Sequence, residues 1–185
     1  MIRTMKLTAT SYIVLGLLEQ LGEAPPYDLK QLVAASVGNF WSVPHSQLYA
    51  EPERLARAGY LSERRECGGR RRRLYSATQR GRDALAAWRG KATRDLPELR
   101  DLGLLKLFFG ADERALAAVR LDAHRAKLAA YEARRELDTG EGPRGPWRAL
   151  DAGIAHEREW VRFWSELAAG RAQRTSQWPP TELDE

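Results

Sequence analysis

The chain has 185 residues, 43% apolar and 30% charged, with a formal net charge of +5. That is enough for one ordinary domain or two small ones. A single cysteine, Cys67, excludes an internal disulfide and a thiolate metal cluster and suits a reducing, cytoplasmic setting. The charge is uneven. Residues 1–90 hold 14 Lys/Arg against 8 Asp/Glu, a net of +6, and residues 91–185 hold 16 against 17, a net of −1. The first half is therefore the part suited to an acidic partner.

The apolar run Tyr12 to Leu18 is shorter than the roughly 20 residues that span a bilayer. Glu19 and Glu23 continue its helical period, so it reads as a core helix and no membrane partner is expected. Thr8 or Thr10 caps this first helix, Ile13, Leu17 and Leu21 share one face, and "GEAPP" (22–26) ends it. A second helix begins near Pro26 or Tyr27 and carries Leu29, Leu32 and Val33. "SVGNFWSVPHS" (36–46) is a turn-rich connection.

A third helix begins near His45 or Ser46 and carries Leu48, Tyr49 and Leu55. Gly59 suits a left-handed C-terminal cap. Pro52 falls in its second turn, where it removes the bond to the Leu48 carbonyl, so a kink or local irregularity is expected around 48–52. Two extended segments, roughly 61–66 and 71–77, flank Cys67-Gly68-Gly69-Arg70, a hairpin signal.

Thr78 caps a fourth helix bearing Leu85 and Trp88. A short apolar helix lies within 99–110. Asp112 caps a long helix reaching about Asp138, with Leu116, Val119, Ala123, Leu128 and Tyr131 as its apolar stripe. After "DTGEGPRGP", a last helix spans about 147–172 and presents Leu150, Ile154, Val161, Trp164 and Leu167, with Trp160 and Phe163 adjacent.

Three helices, a two-stranded ribbon and a fourth helix make a winged helix-turn-helix, which offers its third helix to the DNA major groove. The expected fold is mainly α: this domain over 8–93, an α-helical C-terminal dimerisation domain over 94–172, and a disordered tail over 173–185. On the third helix, His45, Ser46, Gln47 and Tyr49 lie in or just before the first turn. A glutamine bonds adenine bidentately, and a serine or a helix N-terminus takes a phosphate. The alternative is that His45 or Ser46 caps the helix and Tyr49 packs into the core. Arg70, Arg71, Arg72 and Arg73 concentrate charge on the wing, where arginine pairs with phosphate; a solvated edge strand is the bland alternative. Cys67 at this tip is a redox-sensing candidate or a bystander. The three histidines are too scattered for a metal site, and no phosphate loop or nucleophile elbow occurs, so neither cofactor nor enzymatic activity is expected. A winged helix serving only as a docking scaffold is the competing reading.

"YIVLGLLEQLGEAPPYDLKQLV", "SQLYAEPERLARAGYL" and "RRRRLYSATQRGRDAL" follow one another in an order and spacing that resembles the PadR family. "WRALDAGIAHEREWVRFWSEL" (147–167) resembles the last helix of its longer-tailed subgroup. One departure is Ala50, where the family often has Pro directly after its Leu-Tyr step. The resemblance implies a homodimeric transcriptional regulator, usually a repressor, on a near-palindromic double-stranded operator. By position it implies DNA contacts from Tyr27, Ser46, Gln47, Tyr49 and the wing arginines. It further implies, for some members, a small aromatic effector. Here His156, Trp160, Tyr131 and Trp88 are the foremost candidates to meet it, among Phe108, Phe109, His124, Phe163 and Trp164. Core or dimer seam is the alternative role for these aromatics.

Overall fold

The computed structural model describes residues 5–66 and 71–170. It divides into two compact units, Met1–Leu96 and Pro97–Glu185. The stretch 173–185, expected to be a disordered tail, and residues 67–70, where the hairpin turn was expected, lie outside the described residues.

In the first unit, α1 (Ala9–Leu21) is capped by Thr8 in a reciprocal pair with Ser11: each hydroxyl accepts from the other's backbone N–H. The apolar run becomes core, with Val14, Leu15, Leu17 and Leu18 all buried. Among the described residues no helix is long and apolar enough to cross a membrane. The chain then departs from the expected simple stop. Glu23–Ala24 forms a short strand, β1, so the sheet has three strands rather than the two of the predicted ribbon. A two-residue strand carries no alternation to detect. Its extended shape comes from Pro25, which biases Ala24 away from the helical region, and from pairing with Tyr75 and Ser76.

The second helix, α2 (Pro26–Ala35), opens with Pro at its first position, where the missing N–H costs nothing. A 3-10 turn, Val37–Asn39, leads toward α3 (His45–Arg57). Pro52 lies inside α3 and is fully buried, yet the helix runs unbroken through it, so the expected irregularity does not interrupt it. Ala58 and Gly59 end the helix. Gly59 has φ +76°, and the Tyr60 N–H returns to the Leu55 carbonyl at 2.9 Å.

The hairpin strands β2 (Leu61–Arg65) and β3 (Arg73–Ala77) pair antiparallel, Leu61 opposite Ala77 and Arg65 opposite Arg73. β3 is the central strand. Thr78 caps α4 (Gln79–Arg89) through the Gly81 N–H. Gly81 must be glycine: a Cβ there would sit 2.2 Å from the Tyr60 carbonyl oxygen. Leu15, Leu29, Leu48, Leu55, Leu61, Tyr75 and Leu85 join in one core.

In the second unit, Asp101 caps α5 (Leu102–Phe108) and Asp112 caps α6 (Glu113–Arg135). The last helix, α7 (Arg144–Ala168), starts three residues before its predicted start at 147. Pro146 sits in its first turn, where N–H groups have no intrahelical acceptor. α6 and α7 run antiparallel, as the contacts His124–Glu157 and Arg135–Asp151 require. Their core is Ala117, Leu121, Trp164 and Leu167. The predicted α6 stripe is corrected at two positions. Val119 is 71% exposed and Ala123 is exposed, since residue 119 stands roughly 200° around the helix from the buried Ala117.

Candidate nucleic-acid interface

Spacing along α3 sorts its residues by face. Leu48, Glu51, Pro52 and Leu55 point inward; His45, Ser46, Gln47, Tyr49 and Ala50 are exposed. Neither His45 nor Ser46 is the cap. Pro44 holds that place with no side-chain bond, leaving the positive end of the helix dipole uncapped by any side chain. Tyr49 is 47% exposed, so it is not a core residue. Tyr27, at the start of α2, is also exposed, and its hydroxyl accepts from Gln31 Nε2 at 3.0 Å. Phe40 and Trp41, in the segment entering α3, are exposed as well. Sequence reasoning passed over them; two large apolar side chains in a turn-rich segment were the signal.

The first turn of α1 holds α3 from behind. Ser11 Oγ donates to Glu51 Oε1 at 2.5 Å, and Arg54 donates to both Glu51 oxygens at 2.5 and 2.7 Å and to Ser11 at 3.0 Å. Thr10 Oγ1 donates to Gln47 Oε1 at 3.0 Å. Burial alone would raise the Glu51 pKa, but the Arg54 and Ser11 hydrogen bonds and the Arg54 charge outweigh it and hold the carboxyl below its ordinary value. A carboxylate with a depressed folded pKa adds stability above the unfolded value and loses it as pH falls through the folded one. Glu51→Gln is therefore expected to cost about 1–3 kcal/mol near neutrality and progressively less in acid. Thermal melts of both proteins from about pH 7 to pH 3 check this; a gap between them that stays constant with pH would contradict it.

The wing arginines are not equivalent. Arg64 pairs with Glu23 at 2.6 Å and Arg72 with Glu66 at 3.0 Å. Arg73 lies 3.6 Å from Glu63 and 3.7 Å from Glu53 of α3, so it ties the wing to the third helix. Among the described residues Arg65 and Arg71 are exposed and make no ion pair. Arg71 also has φ +47°, a left-handed conformation beside the hairpin tip. Arg70 and Cys67 lie outside the described residues.

The aromatic candidates fall in both units. In the first, Trp88 of α4 stacks on Tyr12 of α1, rings 4.7 Å apart. In the second, Trp160 Nε1 donates to His156 Nε2 at 2.7 Å, and its ring stacks on His124 at 5.6 Å. Tyr131, two turns along α6 from His124, packs its ring over Gly153 and meets the Lys127 ammonium at 5.5 Å. His124 Nδ1 and Lys127 Nζ converge on the buried Glu157, at 2.6 and 3.1 Å. Burial opposes ionisation of Glu157, yet these two partners hold its pKa below the ordinary value. Its signal in the sequence was a carboxylate at helical spacing from Ile154 and Trp164 on the apolar stripe; Glu51, between Leu48 and Leu55, gives the same signal.

A third helix with an exposed polar face, beside a basic hairpin and on a three-helix scaffold, defines a winged helix-turn-helix of the DNA-binding class. Residues 14–87 match the sequence model described as "Transcriptional regulator PadR-like family", and residues 99–170 match "Virulence activator alpha C-term". Residues 14–87 therefore form a PadR-like family domain. It is 33% identical over 101 residues to the negative transcriptional regulator PadR of Bacillus subtilis, an alignment covering 53% of this chain and 54% of that relative. The chain thus matches about half the length of that curated relative. The crystal structure of Bacillus subtilis PadR with operator DNA is similar at TM-score 0.79 and 25% identity, covering 89% of this chain and 100% of that one. The same Bacillus protein with p-coumaric acid has the same fold, at TM-score 0.73 and 24% identity over 88% of this chain and 98% of that one.

Proposed function

We propose that this protein is a cytoplasmic, homodimeric repressor that binds a near-palindromic DNA operator and is released by a small aromatic effector. The observation that carries the reading is the exposed, dipole-positive start of α3 beside a wing whose Arg65 and Arg71 have no carboxylate partner among the described residues. In this reading α3 enters the major groove with Ser46, Gln47 and Tyr49, Tyr27 supports it, and the wing arginines contact phosphate. Leu102, Leu105, Phe108 and Val119, all exposed, supply apolar surface for a second copy. The cluster of His124, His156 and Trp160 supplies stacking surface and hydrogen-bonding groups for an aromatic ligand. The proposed domain limits are 8–93 for DNA binding and 94–172 for dimerisation and effector response.

Selection of bound sequences from random DNA with the purified chain tests the reading. A motif with two related half-sites, bound by two chains and weakened by salt, is expected. p-Coumaric acid is the first effector to try. It and the operator should weaken each other's binding by the same factor. No enriched motif, with salt-independent binding, favours a docking scaffold instead; independent binding of effector and operator removes the release step.

A further inference from the structure

The first turn of α1 meets α3 along a single stripe, positions 47, 51 and 54. The inner contacts, Ser11 to Glu51 and Arg54 to Ser11, are buried or partly buried and fix the spacing of the helices. The outer contact is Thr10 Oγ1 donating to Gln47 Oε1 at 3.0 Å, between residues 37 apart in sequence. Gln47 is exposed and lines an open groove of about 740 Å³ with Thr10, Trp41, Pro44 and Ala50. With the side chain exposed, the threonine hydroxyl is a directional restraint on its amide.

We propose that Thr10 is a positioning residue that sets which base edge Gln47 reads, an inference that rests on the DNA-binding reading above. A glutamine with both amide ends available reads adenine bidentately, Nε2 donating to N7 and Oε1 accepting from N6. Here Oε1 is tied toward α1, and Nε2 is the end left to face DNA. A lone donor favours O6 and N7 of guanine, or O4 of thymine, over adenine, which offers it N7 alone beside the N6 donor. Gln47 therefore favours guanine or thymine over adenine, contrary to what its residue type suggests.

The restraint separates cleanly from folding. Thr8, not Thr10, caps α1, and the Ser11 contacts hold α3 without Thr10. Thr10→Val keeps the shape and removes the hydroxyl; Thr10→Ser keeps the hydroxyl. Full-length wild type, T10V, T10S and Q47A are each put through selection from random DNA, with melting curves run alongside. The wild type should enrich guanine or thymine at the position whose preference Q47A loses. T10V should raise adenine there about threefold to tenfold, the size of one net hydrogen bond, while T10S keeps the wild-type preference. Identical base frequencies for T10V and wild type overturn the proposal, as does a wild-type preference for adenine or a Q47A variant that changes no position. A wild type that enriches no motif overturns the DNA-binding reading itself, which distinguishes that failure from a failure of Thr10 alone.

Discussion

Replacing Arg65 and Arg71 together with Ala is expected to weaken DNA binding about hundredfold for each half-site near 0.15 M salt, at about tenfold for each charge-assisted hydrogen bond to phosphate removed. The slope of log affinity against log salt should fall by about two for each half-site, about four for the dimer on its full operator, since each neutralised phosphate contributes about 0.9. The same double replacement at Arg72 and Arg73 is expected to change the slope by less than about one for each half-site. Arg72 is held by Glu66, and Arg73 by Glu63 and Glu53. To contact phosphate, either must leave a carboxylate that then stands unneutralised next to DNA, so fewer counterions are released on binding. Exposed pairs of this kind are weak, worth about 0–1 kcal/mol, so the difference lies in charge balance rather than in the strength of the pairs. Filter binding or fluorescence anisotropy over a salt series decides it. A slope unchanged by Arg65→Ala with Arg71→Ala, or reduced more by the other pair, contradicts this division of the wing.

Trp164→Ala should be the most damaging single change in the second unit, costing about 3–5 kcal/mol. Trp164 is fully buried, lies against Trp160 and Phe163, and carries the Arg120 guanidinium 5.3 Å from its ring. Arg120 in turn pairs with Asp101, the cap of α5, so the ring supports the residue that anchors that helix. Truncation leaves a cavity in the core shared with Ala117, Leu121 and Leu167 and removes the surface under Arg120. Hydrogen exchange should show weakened protection along α6 and α7, and urea unfolding should show the drop in stability. Trp164→Phe, which keeps a ring, should cost markedly less. A loss below about 1 kcal/mol for the alanine variant is incompatible with a core centred on this residue.

The helices were legible because burial on one face imposes a 3.6-residue period. Leu48 and Leu55 mark α3, Leu29 and Val33 mark α2, and Thr78 and Asp112 mark caps whose side chains do accept the expected backbone N–H groups. β1 was not legible, since two residues have no period and their strand character is set by a partner about 50 positions away. The stripe on α6 was misread for a related reason. Hydropathy favours Val119 over Ala117, but the face of α6 packed on α7 is the one that carries Ala117 and Leu121.

By itself, the sequence determined the order of the elements, the concentration of positive charge in the first half and the residue types on the exposed start of α3. These follow from local rules: period, capping, turn chemistry and composition. The tertiary structure alone decided how those charges and amides are committed. Arg73 meets Glu53, Arg64 meets Glu23, Thr10 meets Gln47, and His124 meets Glu157 across separations of 20 to 41 residues. A side chain's charge is written in its residue type, but whether that charge is free to meet a phosphate depends on what the fold places within about 4 Å of it.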